Sequence, residues 1–293
     1  MRGRSGWAEF SPFREYGDGE AVAWWRAARE AAEDGWPAAV RRRVPVNATV
    51  PAGRPDDVGG VLARFPGCTT AKVKVAAAGQ SAADDEDRLR AVRDALGRGG
   101  RIRVDANGGW DVETAMRLLP RYDRAAGGLE YAEQPCATAE ELAVVRRRVD
   151  IPIAADESIR RADDPMRVAA LNAADVAVLK VQPLGGVRAC LRIAEQIGLP
   201  VVVSSALETS VGIAAGVALA AALPDLPYAC GLATVGLLTR DVVADPLVPV
   251  EGMLPVRRPD VDIDALTDVR ADAATTAWWE QRVVRVARRW RGA

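Results

Sequence analysis

The chain has 293 residues, with 39 Lys and Arg against 40 Asp and Glu, so its formal net charge is −1. This balance argues against a protein that binds nucleic acid through bulk positive charge, and 49% hydrophobic residues suffice for a packed core. The chain contains no histidine, which excludes catalytic triads with a histidine base and histidine-ligated zinc. Acid–base chemistry must therefore come from Asp, Glu, Lys, Tyr or Cys.

Cysteine usage and hydropathy bear on the compartment. The four cysteines, Cys68, Cys136, Cys190 and Cys230, show no CxxC spacing, which is typical of free thiols in a reducing cytosol. The chain has no run of about 18 apolar residues, the length that spans a membrane, and no apolar segment follows the basic N-terminus. We therefore expect a cytoplasmic protein with no membrane span.

Three regions follow one another along the chain. Residues 1–45, called here the capping segment, contain a short strand pattern at residues 6–10 and a helical pattern at residues 20–32. Residues 46–245 alternate short apolar runs with longer helical segments. Residues 246–293 break this alternation. A helical pattern at residues 275–291 predicts an amphipathic helix that packs against the capping segment, with a membrane-surface helix as the alternative.

The middle region predicts a barrel. Its apolar runs have strand length and lie at residues 46–50, 71–75, 102–106, 128–132, 151–155, 176–179, 201–203 and 228–230. Helical patterns lie between them, at residues 84–96, 113–121, 139–148, 165–171, 186–198 and 210–223. Eight strands that alternate with helices predict a parallel α/β barrel. An open doubly wound sheet is the rival, but the chain has neither a GxGxxG after the first strand nor a P-loop.

Polar residues follow the predicted strands at regular intervals. Asp105, Glu133, Asp156, Lys180 and Ser204 are separated by 28, 23, 24 and 24 residues, one strand–helix unit each. A parallel barrel brings the C-terminal ends of its strands to one rim, where active sites lie. The three acids would repel one another there unless a cation lies between them, and oxygen ligands favour Mg²⁺ or Mn²⁺ over zinc. The alternative is that each acid caps a helix or pairs with an arginine.

Lysines flank these acids. Lys72 and Lys74 share one face of the second barrel strand, and Lys180 ends the sixth strand, on the opposite side of an eight-stranded ring. A lysine in an apolar run is costly unless it is used or paired, so we expect Lys74 and Lys180 to face a common cavity. A lysine can remove a proton next to a carboxylate, and a divalent cation on that carboxylate stabilises the enediolate that forms. The pattern therefore predicts proton abstraction α to a carboxylate, followed by elimination or reprotonation.

Several motifs in this order resemble the enolase superfamily. They are Lys72-x-Lys74, Asp105-x-Asn107, Glu133-Gln-Pro, Asp156-Glu-Ser and Lys180-x-Gln-Pro-x-Gly-Gly. The absence of histidine fits the branch of this superfamily that has a lysine on each side of the barrel. Longer stretches at residues 104–110, 131–136 and 204–212 resemble the o-succinylbenzoate synthase family of the actinobacterial type. The resemblance covers residues 6–260.

The resemblance implies a (β/α)7β barrel of enolase type with a small α+β capping domain, here shortened at its N-terminus. It implies a Mg²⁺-dependent syn dehydration, in menaquinone biosynthesis, of 2-succinyl-6-hydroxy-2,4-cyclohexadiene-1-carboxylate to o-succinylbenzoate. Lys74 would be the base and then the acid, and Lys180 would stabilise the enediolate through a cation–π contact. Asp105, Glu133 and Asp156 would bind the metal. The substrate-binding residues would be Lys72, Asn107, Gly185, Gly186, Ser204, Ser205 and Gly231.

Two alternatives and three further expectations accompany this interpretation. An N-succinylamino acid racemase would use the same two lysines, one on each face of the α carbon, and a truncated barrel without a working lid would be inactive. Dipeptide epimerases usually carry an acidic motif where residues 230–234 stand here, and aldolase barrels use other ligand sets. The shortened cap predicts an unpaired strand edge near Trp7, unless residues 247–256 or the C-terminal helix cover it. As partners we expect a small-molecule carboxylate substrate and no nucleic acid, and as the oligomeric state a monomer.

Overall fold

The structure is a computed structural model that describes residues 1–161 and 164–292. The capping segment begins with an antiparallel strand pair, β1 (Arg2–Gly3) and β2 (Gly6–Trp7). Helix α1 (Ala21–Arg29) follows and continues into a π-helical turn at Glu30–Asp34. Strand β3 (Arg43–Pro45) then leads into the barrel. The helix predicted at residues 20–32 is therefore present.

Seven parallel strands form the curled sheet at the centre of the molecule. They are β4 (Ala48–Val50), β5 (Thr70–Lys74), β6 (Arg101–Asp105), β7 (Tyr131–Glu133), β8 (Ile153–Ala155), β9 (Val176–Lys180) and β10 (Val201–Ser204). Each strand pairs with the next one along the chain. Seven of the eight predicted strands are thus present, in the predicted parallel order.

The eighth predicted strand is reduced to two bridges that join the edges of the sheet. Cys230 bridges Val46, which directly precedes β4, and Gly231 bridges Ser204 at the end of β10. The backbone N–H of Asn47 also donates to the carbonyl of Cys230, at 3.0 Å. The short segment therefore contacts both edge strands and completes the (β/α)7β arrangement.

Helices follow the strands around the outside of the sheet. They are α2 (Val58–Leu62), α3 (Ala82–Leu96), α4 (Val112–Ala126), α5 (Ala139–Arg146), α6 (Glu157–Arg160), α7 (Arg167–Ala170), α8 (Val187–Ile197) and α9 (Ser210–Ala222). Local sequence explains where the longer ones begin: Ser81 and Asp84 form a capping box at α3, and Thr138 and Glu141 form one at α5. Helix α6 has only one turn, too short to show an apolar period, and the sequence did not predict it.

The most apolar stretch of the chain is a buried helix. Nearly every residue of α9 is buried, and the helix packs against α8, β10 and β3. This position explains why its sequence lacks a polar face. Within residues 1–161 and 164–292, no helix is long and apolar enough to cross a membrane.

The C-terminal region contacts the capping segment. Strand β11 (Met253–Pro255) pairs with β3, and helices α10 (Ile263–Asp268) and α11 (Ala273–Arg291) follow. Helix α11 packs on α1, and its buried Arg282 donates to the carbonyls of Phe13 and Tyr16 at 3.1 and 2.6 Å. The strand that contains Trp7 pairs with β1. Residues 253–255 pair with β3 and therefore do not cover the strand near Trp7.

Candidate active site

The strand register places three of the predicted site residues side by side. Lys74 on β5 is the cross-strand partner of Asp105 on β6, and Asp105 is the partner of Glu133 on β7. Neighbouring parallel strands lie about 4.8 Å apart, and partners in register point to the same side of the sheet. Their side chains therefore project together into the barrel at its C-terminal rim.

Lys72 lies under the first two acids. Its Nζ donates to Asp105 Oδ2 at 2.9 Å and to Glu133 Oε1 at 2.7 Å, and all three side chains are buried. Burial alone lowers the pKa of Lys72, but the charges of the two carboxylates outweigh burial and hold that pKa well above its ordinary value. Lys72 is therefore a permanent positive charge that two acids share.

Lys74 is the lysine of β5 that reaches the opening of the barrel. Its Nζ donates to Asp105 Oδ2 at 2.6 Å and to Asn107 Oδ1 at 2.7 Å, and its side chain is 32% exposed. Asn107 adopts a positive φ of 48°, which lets its backbone N–H donate to Asp105 Oδ1 at 3.0 Å. The turn after β6 thus holds both the acid and the amide against this lysine.

Lys180 occupies the opposite end of the row of acids. Its Nζ donates to Asp156 Oδ2 at 2.7 Å, and the second oxygen of Asp156 accepts from Arg160 Nε at 2.9 Å. Burial raises the pKa of Asp156, but Lys180 and Arg160 outweigh burial and lower it below the ordinary value. Since β9 lies four strands from β5, the predicted pair of lysines stands on two flanks of the same acids.

The other two acids differ in how firmly they hold a negative charge. Burial raises the pKa of Asp105, but Lys72 and Lys74 outweigh it and hold the pKa well below its ordinary value. Burial, followed by repulsion from Asp105, raises the pKa of Glu133 to about 7. The negative charges at this rim are therefore crowded, and Glu133 is the least well compensated.

The acids fit a hard divalent cation by donor type, although their side chains are turned to the lysines. In the described ranges, 1–161 and 164–292, no group of three acids is arranged around a common metal position. Ammonium and guanidinium groups bind oxygens of these three acids, and the joint binding of one cation by Asp105, Glu133 and Asp156 stays a prediction. Carboxylate oxygens are the ligands that Mg²⁺ prefers. Among the described residues Glu157 Oε2, next in sequence to Asp156, is buried without a hydrogen-bond partner, and a cation could satisfy it.

The predicted serine contacts lie beside Lys180. Ser204 is the cross-strand partner of Lys180, and a Cβ on Gly231 would lie 2.6 Å from Ser204 Oγ. Glycine at 231 therefore leaves room for that hydroxyl at the rim. The hydroxyl groups of Ser205 and Thr234 are hydrogen-bonded to each other, with 2.8 Å between their oxygens. The contact of Ser204, Ser205 and Gly231 with substrate stays a prediction.

The two predicted glycines lie against the capping segment. Gly186 has a φ of 123° and occupies the N-cap position of α8, where a Cβ would collide with the Glu30 carboxylate. Gly185, with a φ of 89°, lies under Ala23 of α1. Close packing therefore explains glycine at 186 and the positive φ explains glycine at 185, and the contact of both with substrate stays a prediction.

Sequence reasoning missed several side chains that support the site. Tyr16 contacts Arg160, and Glu9 and Glu30 bind the first turns of α9 and α8. A local signal existed only for Arg160, which lies four residues after Asp156, the spacing of helical ion pairs. The capping residues have no such signal because their partners are far away in the chain.

Family models and relatives agree with this architecture. Residues 61–260 match a model described as enolase C-terminal domain-like, and residues 1–32 match one described as enolase N-terminal domain-like. An o-succinylbenzoate synthase of Thermobifida fusca is 63% identical over 290 residues, which are 99% of this chain and 90% of that protein. One of Mycolicibacterium smegmatis is 56% identical over 96% of this chain and 86% of that protein.

The chain belongs to the o-succinylbenzoate synthase family of the enolase superfamily. Solved structures of this superfamily show the same fold: muconate cycloisomerase from Pseudomonas fluorescens superposes with a TM-score of 0.74 at 25% identity, covering 87% of this chain and 80% of that one. An N-succinyl Arg/Lys racemase from Bacillus cereus, at 22% identity and a TM-score of 0.72 over 86% of this chain and 73% of that one, shares the fold. The predicted fold class and family are therefore confirmed. Enolase superfamily members use a divalent metal, which agrees with the acids at the rim.

Proposed function

We propose that this chain dehydrates 2-succinyl-6-hydroxy-2,4-cyclohexadiene-1-carboxylate to o-succinylbenzoate, with Mg²⁺ as the cation. The observation that carries the proposal is the placement of Lys74 and Lys180 at the two ends of a row of buried acids, where each lysine bonds an acid directly. Ammonium groups at the two ends of the row of acids would suit a substrate whose carboxylate lies between them.

The acids Asp105, Glu133 and Asp156 would hold the cation. When it is bound, it supplies Lewis-acid stabilisation of the negative charge that develops on the substrate carboxylate as the α proton leaves. Lys72 stays behind the acids as a fixed positive charge, because it is buried and bonded to two of them. Its contribution is to keep Asp105 and Glu133 charged and oriented.

Lys74 would transfer the protons. As a neutral amine its Nζ accepts the α proton, and the electron pair of the broken C–H bond moves onto the substrate carboxylate. This pair forms the new ring double bond when the hydroxyl group leaves. The resulting ammonium then returns the proton to the hydroxyl group on the same face, and the C–O bond breaks to release water. One lysine serves both steps because the proton and the hydroxyl leave from the same side. Asn107 accepts a hydrogen bond from the same Nζ and so orients it.

Lys180 would act from the other flank without exchanging a proton. Its ammonium stabilises the negative charge that spreads over the ring carbons, by charge and by a cation–π contact.

The capping segment covers the Lys180 side of the barrel opening, because Tyr16 and Trp24 pack against Ala206 in the loop after β10. We assign the lid to residues 1–45 with residues 246–293, and the chemistry to residues 46–245.

Racemisation of an N-succinyl amino acid is the second candidate, since the same two lysines would serve it. Each lysine would then exchange a proton with one face of the α carbon. The two reactions differ in what Lys180 must do: it is an acid–base group in the racemase and a fixed charge in the synthase. Replacement of this lysine therefore separates them.

The experiment follows aromatic absorbance after the cyclohexadiene substrate and Mg²⁺ are added to the purified chain. We expect wild-type turnover, loss by at least about 1,000-fold in Lys74→Ala, and partial activity in Lys180→Arg, which keeps the charge. A matched control is Lys72→Arg, which keeps a positive charge at the other lysine of β5 and should retain part of the activity.

A second measurement tests the racemase directly. N-succinyl amino acids of either configuration are incubated in D₂O, and deuterium at the α carbon is followed by NMR. Absence of aromatic product, together with exchange that Lys180→Arg abolishes for one enantiomer, would replace the synthase proposal by the racemase. No turnover in either assay would support the inactive barrel.

A further inference from the structure

Arg160, the last residue of α6, has a buried guanidinium that donates hydrogen bonds to three different side chains. Its Nε donates to Asp156 Oδ1 at 2.9 Å, its Nη2 donates to Glu157 Oε1 at 2.6 Å, and its Nη1 donates to the Tyr16 hydroxyl. The side chain is 8% exposed. A planar guanidinium can serve three acceptors at fixed angles, which a lysine cannot do.

Two of these contacts lead to the two lysines. Through Asp156 the guanidinium reaches Lys180, whose Nζ binds the other oxygen of that carboxylate at 2.7 Å. Through Glu157 it reaches Asn107, whose Nδ2 donates to Glu157 Oε1 at 3.2 Å and whose Oδ1 accepts from Lys74. One side chain is therefore connected to both Lys74 and Lys180 through chains of hydrogen bonds.

The third contact leads to the capping segment. Tyr16 is buried, and its ring lies 5.4 Å from Phe13 and 6.3 Å from Trp24 in edge-on packing. Arg161 lies over the same ring, at 5.1 Å from its centroid. The aromatic cluster thus holds the hydroxyl of Tyr16 in place against α6, and the hydroxyl accepts from Arg160.

We infer that Arg160 is a positioning residue that couples the seated capping segment to both lysines. The inference rests on the proposed function and names a device in the same site. With Tyr16 in place, the guanidinium holds Asp156 and Glu157 in one orientation, and these carboxylates orient Lys180 and Asn107. Without the guanidinium, Asp156 and Glu157 rotate independently, and Lys180 and Lys74 are no longer held in a fixed relative orientation.

The first test uses two variants that keep charge or shape. Arg160→Lys keeps the positive charge but reaches fewer partners, and Tyr16→Phe removes only the hydroxyl. We expect kcat to fall by about 100-fold in Arg160→Lys and by about 5-fold in Tyr16→Phe, with KM within about threefold of wild type, because the substrate contacts remain. The double variant should be no slower than Arg160→Lys, since the two residues act through one contact.

The second test measures Mg²⁺ binding by calorimetry in the absence of substrate. We expect Arg160→Lys to weaken Mg²⁺ binding by about 10-fold or more, as the loss of a hydrogen bond behind a ligand does elsewhere. Tyr16→Phe should shift the affinity in the same direction by less. This readout does not depend on turnover, so it remains informative if the substrate has been assigned wrongly.

The matched control is Arg146→Lys. Arg146 also binds a carboxylate through two nitrogens, at 2.9 and 2.7 Å from Asp175 Oδ1, but Asp175 directly precedes β9, at the end of the barrel opposite the rim. The melting temperature of this variant should fall, while kcat and Mg²⁺ affinity stay at wild-type values.

Two outcomes separate the possible failures. A wild-type chain without synthase activity would end the proposed function, and the Mg²⁺ titration would still decide the role of Arg160. If the wild type is active and both variants keep kcat and Mg²⁺ affinity within about twofold while only the melting temperature falls, Arg160 is structural and the inference is overturned. Should Arg160→Lys fail to fold, Tyr16→Phe decides in the same way.

Discussion

Glu30 of the capping segment accepts a hydrogen bond from the backbone N–H of Val187, at 2.6 Å, in the first turn of barrel helix α8. The same carboxylate binds the backbone N–H and the guanidinium of Arg188, at 3.2 and 2.8 Å. The N-cap residue of this helix is Gly186, which has no side chain to offer. A residue 157 positions earlier in the chain therefore caps the helix that follows the Lys180 strand.

Removal of this distant cap should destabilise the protein. Glu30→Ala leaves two backbone N–H groups without their acceptor at the positive end of α8, which costs about 1–2 kcal/mol in the free energy of unfolding. Urea unfolding measures it. Glu33→Ala is the control, because Glu33 pairs with the exposed Arg4 at 3.9 Å and its loss should cost less than about 0.5 kcal/mol. Equal losses in the two variants would show that Glu30 is not a cap.

Gly186 should tolerate no side chain, for a reason beyond its backbone angle. Alanine there would meet both a φ of 123° and the Glu30 carboxylate, so Gly186→Ala should cost at least about 3 kcal/mol. Gly128→Ala is the control, since Gly128 has a φ of 103° and nothing within 4 Å of a Cβ. Its cost, about 1–2 kcal/mol, measures backbone strain alone. A Gly186 variant no worse than the Gly128 variant would contradict the close approach of Glu30.

Glu208, in the loop after β10, should make stability depend on pH. Burial, followed by repulsion from Glu9, raises the pKa of Glu208 to about 7, whereas an unfolded Glu titrates at about 4.3. The folded state therefore holds this proton more tightly. The associated stability is complete below about pH 4 and is lost as the pH rises through about 7.

The neutral Glu208→Gln should abolish this dependence. In the wild type the Ala206 N–H donates to Glu208 Oε2 at 2.7 Å, and the amide oxygen of glutamine can accept the same hydrogen bond. At pH 8 the variant should be more stable than the wild type, by about 4 kcal/mol at most, and at pH 5 the difference should be much smaller. Unfolding in urea at both pH values measures it. A constant difference across this range would mean that Glu208 is charged in the folded protein.

Mg²⁺ should stabilise the folded chain through the acids at the rim. A ligand that binds only the folded state adds about 2.7 kcal/mol at 100 times its Kd, which a thermal melt with and without EDTA would detect. Asp156→Asn should lose most of this increase. Asp175→Asn should retain it, because Asp175 pairs with Arg146 at 2.7 Å, away from the row of lysines. An unchanged Mg²⁺ effect in Asp156→Asn would place the cation elsewhere.

Much of the barrel was predictable because its pattern is local. Strands β4 to β10 are short apolar runs, and the capped helices between them carry their own signals, such as the capping box at Ser81. The last barrel strand was predicted at residues 228–230, whereas the bridges of the described structure lie at Cys230 and Gly231. The residues at the strand ends could be named for a related reason: a parallel barrel carries them to one rim whatever the details of packing.

The direction in which the side chains turn was decided by packing. The sequence predicted Asp105, Glu133 and Asp156 as ligands of one cation, which stays a prediction, but it did not predict their ion pairs with Lys72, Lys74, Lys180 and Arg160. Charges buried next to one another form the nearest available ion pairs, and that choice depends on distances between strands that a linear pattern does not contain.

By itself, the sequence determined the order of strands and helices, the row of acids and lysines at the strand ends, and the family of the chain. These properties depend on periodicity and on motifs a few residues long. Only the tertiary structure decided how the capping segment is seated: Glu9 on the Thr209 backbone, Tyr16 on Arg160, and Glu30 on Val187 lie 200, 144 and 157 residues apart. Such contacts form when separate folded units meet, and no local preference of either partner encodes the other.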